Sequence, residues 1–314
     1  MAHGESSPPP GPAQDSRPGV APLPPAWQPL TPRGVAAFAQ ARVGRLWLVQ
    51  FLIAALVAGA SAWFLNTAWF PVALQAIRQL PDTGAIVERR LESPHESASP
   101  LAENRFLSVF VNPRGVSNAS TTSDLRLDFR EREIIACSIL GCVVLAYPAQ
   151  ALVPFNRVEL EPWWGAWESM ILGLAALAVM AALWLTWQLL GALYAPVAWV
   201  LAYFNDRPLT LPGSWKLASA ALLPGALFTL VGIVAYGWGM LDLPRFLLLW
   251  ALHLFVGWYY VFTGVLMLRR AVVPSALEKN PFDTAPAKVP RKARPSNPFS
   301  DSTSETPPPE PPAK

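Results

Sequence analysis

The chain is poor in the side chains that most often carry chemistry. Its 314 residues include two cysteines and three histidines. Cys137 and Cys142 stand in a Cys-x4-Cys pair with no histidine nearby, which excludes the usual structural zinc patterns. The histidines, His3, His95 and His253, are widely separated. There is no HExxH, no phosphate-cradling glycine loop and no GxSxG. Without an acid, base and nucleophile to assemble, no catalytic site is expected, and no cofactor or metal site. Nothing points to nucleic acid. Charge is scarce as well, at 14% of residues.

What the chain has instead is long apolar runs, at 46–65, 170–204, 217–238 and 246–268. A hydrocarbon core of about 30 Å needs about 20 helical residues, so uncharged runs of this length are expected to cross a bilayer. Both ends have the opposite character. Residues 1–34 and 274–314 are crowded with proline and cannot bury enough apolar surface to offset chain entropy. They are expected to be disordered tails that meet cytoplasmic partners. Between them, "RGVAAFAQARVGR" (33–45) is expected to be a juxtamembrane lead-in to the first run, with a surface amphipathic helix as the other reading.

Residues 66–168 are the one stretch with the look of a water-exposed domain. "NTAWFPVALQAIRQL" continues the helical spacing of the first run. "RFLSVFVN" then alternates, with Leu107, Val109 and Val111 on one side, and "LRLDF" places Leu125, Leu127 and Phe129 on one face. These are signals of a small, mainly antiparallel β domain. "IIACSILGCVVLAYPAQALVPF" (134–155) is uncharged and ambiguous between a β-hairpin and a membrane helix. Its β-branched residues, Gly141, Pro148 and Pro154 favour the hairpin. Cys137 and Cys142 then lie close across the turn, either as a disulfide or as two small core residues.

Charge sets the expected topology. Arginine and lysine collect on cytoplasmic flanks, whereas a long domain translocates largely regardless of charge. Residues 66–168 carry nine arginines, twelve acids and no lysine. If 170–204 crosses once, the chain has four spans. The amino terminus, the 205–216 link and the carboxyl tail then share the cytoplasmic side, and 66–168 lies outside. The excess length of 170–204 is assigned to a break at Gly191 and Pro196, after which "YAPVAWVLAYF" follows the interface. Six spans, with an added crossing at 134–155, is the alternative. The expected parts are thus a tail at 1–34, a lead-in and first helix at 35–65, the extracytoplasmic α+β domain at 66–168, a bundle at 169–273 with helices 169–204, 217–238 and 245–268, and a tail at 274–314.

A few residues stand out as functional candidates. His253 is ionisable within a span, which marks either interhelical hydrogen bonding or a proton or ligand site. Gln50 and Gln188 are its possible partners. Pro224 bends its helix, as a static kink or as a hinge. Asp242 and Arg245 are three apart at a turn, as a local ion pair or a gate.

The order of "LPDTGAIVERRLES", "RFLSVFVNPRG", "LRLDFREREIIACSILGCVVLAYP" and "SWKLASAALLPGALFTLVGIV" resembles the bacterial family known as domain-of-unknown-function 1189. Its bundle part is similar to Yip-type multi-pass proteins. The likeness covers about residues 46–270 and implies one helix, a small extracytoplasmic domain and further helices. It implies no activity.

The expected protein is therefore a polytopic α-helical protein of the inner membrane, with about four spans and both termini cytoplasmic. A binding, scaffolding or sensing role is expected, through an outer domain that engages a ligand or envelope partner. A transporter or channel component is the rival. Its partners are the lipid bilayer and proteins reached through the outer domain and the proline-rich tails.

Overall fold

The computed structural model describes residues 25–94, 100–112, 122–149 and 152–270, all within one compact unit, Met1–Ala271. The expectations for the tails concern mostly residues 1–24 and 271–314, outside the described residues, as is His95. The chain is mostly helical, with some sheet. Among the described residues, four helices are long and apolar enough to cross a membrane: Val43–Arg78, Arg157–Phe204, Leu211–Gly237 and Leu243–Met267.

The described chain begins closer to the bundle than a lead-in would. Helix α1 (Pro32–Phe38) starts inside the stretch assigned to the tail. Thr31 caps it by accepting from the Gly34 N–H at 3.0 Å, and Pro32 presets its first turn. Val35, Ala36 and Phe38 are fully buried. This face packs into the bundle, which a helix lying on a membrane surface would not do.

Helix α2 (Val43–Phe64) is about 33 Å long, enough for one hydrocarbon core. It does not stop there. A π-helical turn, Leu65–Trp69, leads directly into α3 (Phe70–Arg78). Pro71 explains the wide turn. It has no N–H for the carbonyl one turn back, and its ring crowds that carbonyl, so the ladder shifts register.

Eight short strands follow among the described residues: β1 (Ala85–Val87), β2 (Arg90–Glu92), β3 (Ala102–Glu103), β4 (Leu107–Val111), β5 (Leu125–Phe129), β6 (Glu133–Ser138), β7 (Gly141–Ala146) and β8 (Val153–Pro154). They form a small sheet, β2-β1-β8, and a larger one, β3-β4-β5-β6-β7. Pairing is antiparallel except between β4 and β5, where Leu107 stands opposite Leu125 in parallel register. The described residues of 134–155 hold strands β6, β7 and β8 and no helix, so the six-span arrangement has no helix at the place it needed one.

Cys137 faces Cys142 across β6 and β7, and the two are joined in a disulfide. The bridge closes a loop with a sequence separation of 5, so the chain-entropy model assigns it about 2 kcal/mol. Replacing both cysteines by serine should therefore lower the urea midpoint of the sheet domain modestly without abolishing folding. An unchanged midpoint would show that the bridge contributes nothing to stability.

Helix α4 (Arg157–Phe204) is the largest departure from expectation. Its 48 residues run unbroken through Pro162, Gly191 and Pro196, a length of about 72 Å. The expected domain boundary at 168 thus falls inside a helix. Gly191 is a contact surface, not a break: a Cβ there would lie 2.0 Å from Ser219 Oγ and 3.2 Å from Ser219 Cα. That glycine lets α4 and α5 (Leu211–Ala221) pack nearly backbone to backbone. Helix α6 (Leu223–Gly237) follows α5 after one residue, Leu222, with Pro224 in its first turn. The expected helix 217–238 is therefore longer and divided. Helix α7 (Leu243–Met267) completes the bundle.

Candidate functional site: an apolar pocket walled by two long apolar helices

The alternating faces seen in the sequence converge on one place. Leu107, Val109 and Val111 of β4 and Leu127 and Phe129 of β5 form the floor of a pocket of about 240 Å³. One wall is α3, through Ala73, Ala76 and Ile77, with Leu80 just past its end. The other is the start of α4, through Leu160, Trp163 and Trp164. Every lining residue is apolar or aromatic. Both walls are extensions of helices long enough to cross a membrane.

The walls are held together by polar groups at the rim. Arg78 Nε donates to Glu161 Oε1 at 2.8 Å, and Arg157 pairs with Asp82 at 2.8 Å. Both pairs are exposed and contribute at most about 1 kcal/mol each. Asn156 caps α4 by accepting from the Glu159 N–H at 3.0 Å, while its own Nδ2 donates to the Gly84 carbonyl at 3.2 Å. The first turn of α4 is thereby tied to the small sheet.

The floor is stiffened from another direction. Asp128 on β5 is buried and pairs with Arg126 at 3.3 Å and Arg130 at 3.5 Å. The Arg126 guanidinium also covers the Phe110 ring at 4.3 Å. Tyr147 donates its hydroxyl to the Arg130 carbonyl at 2.8 Å. Burial, with Asp128 and Glu133 nearby, pushes the phenol's pKa above its usual value, so it remains a donor at neutral pH.

A separate set of contacts fastens the sheet domain to the bundle. Arg105, just before β4, donates to the Gly239 carbonyl at 2.7 Å and the Leu241 carbonyl at 2.5 Å, in the turn between α6 and α7. Tyr236 at the end of α6 donates to Asp124 Oδ2 at 2.7 Å. Phe106 packs against Phe64 and Tyr236, with ring centroids 5.2 and 5.0 Å away. Asn104 donates to the Ala68 carbonyl in the π turn at 2.6 Å and accepts from the Phe106 and Leu107 N–H groups. The three-residue stretch Asn104–Phe106 thus touches α2, the π turn, α6 and the α6–α7 turn.

The residues singled out from sequence lie elsewhere. His253 lines a smaller cavity of about 80 Å³ within the bundle, beside Thr186 and Thr229. Its Nδ1 contacts the Trp250 carbonyl of its own helix. Gln50 and Gln188 are not its partners: Gln188 Nε2 donates to Gln50 Oε1 at 3.0 Å, joining α4 to α2. His253 instead backs onto Gly225, where a Cβ would lie 2.9 Å from its carbonyl oxygen. Pro224 lies at the division between α5 and α6. Asp242 caps α7 by accepting from the Arg245 N–H at 2.9 Å, and its other oxygen lies 3.6 Å from Arg245 Nε. The structure does not bring His253, Pro224, Asp242 and Arg245 into one site. No group of three metal-ligating side chains occurs among the described residues.

Sequence reasoning missed Trp164, Arg105 and Tyr236. The signal for Trp164 was present: "EPWWGAW" places three tryptophans just before an uncharged run. Arg105 carried none, because an exposed arginine before a strand is ordinary. The chain matches no family model, no curated protein and no solved structure.

Proposed function

We propose that this is a non-enzymatic inner-membrane protein whose sheet domain, on the outer side, engages a ligand or envelope partner and reports it to the spans. The observation that carries the reading is the construction of the pocket: its two helical walls are continuous with the first two spans. A ligand that spreads α3 from α4 acts directly on α2 and on the rest of α4, because no flexible linker intervenes. Both termini face the cytoplasm in this arrangement, as the arginine-rich flanks favour. A partner on the outside finds an exposed apolar surface at the β6–β7 hairpin, where Ile139, Leu140, Val143 and Val144 are all exposed.

Two measurements test this. In a Cys137→Ser, Cys142→Ser background, a membrane-impermeant thiol reagent should label Leu140→Cys in intact cells and spare Pro208→Cys. The reverse pattern would invert the protein and sink the reading. Spin labels at Val43, just before the first apolar run, and at Tyr203, at the far end of the second, both exposed, should report a changed distance distribution when Ala76→Trp fills the pocket. An unchanged distribution would mean that the pocket and the spans are mechanically independent.

The transporter reading rests on the His253 cavity. Flux in liposomes that His253→Ala abolishes would favour it.

A further inference from the structure

We propose that the tip of the β6–β7 hairpin, Ile139 and Leu140, rests in the headgroup–acyl boundary of the leaflet beside the sheet domain, so that the bilayer itself covers the apolar surface left open there. The assignment rests on the reading of the long helices as spans and names the partner of that hairpin. It does not depend on which side of the membrane the sheet domain faces.

Strand register decides which end of the sheet meets the membrane. Asn104 bonds to the π turn, Arg105 to the α6–α7 turn, and Asp124 to Tyr236 near the end of α6. The starts of β4 and β5 therefore lie at the ends of the spans. The other end of β5 lies away from them. There the Leu91 N–H of β2 donates to the Glu131 carbonyl in the β5–β6 turn, and β2 follows the end of α3, which carries the first long helix out of the bundle. Strand β6 returns antiparallel to β5, with Ser138 opposite Leu125, and Gly141 of β7 stands opposite Ser138. The β6–β7 turn is thus brought back to the membrane end of the sheet, level with Asp124. Tyr147, just past β7, bonds to the Arg130 carbonyl at the far end, which fixes the direction of β7. Sheet twist turns β7 against β5 by about 45° without reversing it. Two strand spacings place β7 about 10 Å to the side of β5, so the tip hangs beside the bundle and not on it.

The chemistry of the two turns agrees with their positions. The far turn reads "RERE" (130–133), and the near one reads "SILG" (138–141). No residue from 134 to 156 is charged. Leu140 is 78% exposed and Ile139 59% exposed, so no described residue covers them. Strand β7 is an edge strand, exposed along its whole length. Edge strands in water are commonly blunted by charge or proline, and β7 has neither. The level of the bilayer surface is marked independently. Trp63 and Trp238 meet edge-on at the ends of α2 and α6, with centroids 6.2 Å apart, and tryptophans gather at the headgroup level. Depth is limited by the backbone. The open edge of β7 cannot enter hydrocarbon, because its unpaired N–H and C=O groups need water or headgroups, so only the tip goes in. The Cys137–Cys142 disulfide closes the chain just behind Ile139 and Leu140, which lowers the entropy lost when the tip is held at a surface.

The test uses the unmodified full chain in phosphatidylethanolamine–phosphatidylglycerol vesicles containing a trace of phosphatidylethanolamine with a diazirine near the ester end of one acyl chain. After irradiation, adducts should fall on Ile139 and Leu140 as well as on the spans, and residues 130–133 should carry none. Ile139→Asp combined with Leu140→Asp should lower the hairpin adducts roughly tenfold and leave those on the spans unchanged. Both side chains are exposed, so the double change leaves the packed core untouched. Labelled spans beside an unlabelled hairpin would overturn the proposal, and so would equal labelling of 130–133. A second measurement separates lipid from protein cover. A nitrobenzoxadiazole probe on Leu140→Cys, in the Cys137→Ser, Cys142→Ser background, should be quenched by nitroxide lipids and shielded from aqueous iodide. Shielding from both would mean that a second copy or another protein covers the tip. Quenching by iodide alone would mean a bare tip. Either result would overturn the proposal. At headgroup depth a thiol at 140 stays within reach of a water-soluble reagent, so sidedness is read independently. Hairpin adducts with the sidedness pattern reversed leave the bilayer contact standing and sink the outer placement. The expected sidedness without adducts does the opposite.

Discussion

Gly191→Leu should unfold the bundle under conditions that leave the parent chain intact. At this position even a Cβ would come within 3.0 Å of Ser219 Cβ and 3.2 Å of Ser219 Cα. Rotation of the serine hydroxyl cannot relieve the clash, because the backbone of α5 is part of it. A leucine must push α4 and α5 apart along a seam that includes fully buried Ala198, Ala218 and Ala221. Overpacking of this kind costs about 1–3 kcal/mol, and small-residue seams in membranes have little else to hold them. Gly59→Leu is the control. Gly59 is exposed, a Cβ there meets nothing within 4 Å, and a larger apolar side chain on that face should be neutral or mildly favourable. Denaturation in mixed detergent micelles should separate the two variants by more than one kcal/mol. Coincident curves would mean that α4 and α5 do not meet as closely as described. Gly191→Ala combined with Ser219→Gly should recover part of the loss, since the pair shares one contact.

Gly191 also shows where the sequence could and could not be read. The four apolar runs were legible because a bilayer imposes a length and forbids charge. The faces of 107–111 and 125–129 were legible because period-two alternation survives in either pairing direction. That β4 and β5 run parallel was not, because strand direction depends on the path of residues between them. The continuity of α4 was hidden for a different reason. Gly191 and Pro196 have the local chemistry of a break, but a helix packed in a bundle tolerates both when its neighbours hold the freed groups. The burial of α1 was hidden because "GVAAF" is too short to carry a period, and its depth depends on partners far along the chain. Gln50 and Gln188 were read as possible partners of His253. Only the three-dimensional register of α2 against α4 shows that Gln188 donates to Gln50. The pocket followed from none of these alone. It required α3 and the beginning of α4, one read as an extension of a span and the other as domain, to face the same sheet.

Arg105→Ala together with Tyr236→Phe should release the sheet domain from α6 and α7 while leaving each folded. Tyr236 is buried, and removing its hydroxyl leaves the Asp124 carboxylate without that donor, a loss of about 1–3 kcal/mol. Arg105 is exposed, so its two bonds to the Gly239 and Leu241 carbonyls lie toward the lower end of the charged range, near 1.5 kcal/mol. The two sites flank one aromatic cluster of Phe64, Phe106, Tyr236 and Phe246, so their effects should be coupled, not additive. Hydrogen exchange is the suitable measurement because it reports local opening. Amides of residues 239–246 should exchange roughly tenfold faster in each single variant and more in the double, with the centre of α4 unchanged. Uniform acceleration throughout the chain would indicate general destabilisation. No acceleration would mean that the domain is held by α2 and α4 alone. That distinction bears on mechanism. If the clamp carries force, a ligand in the pocket reaches the third and fourth spans through Asn104–Phe106. If it does not, any signal is confined to the two helices that form the pocket's walls.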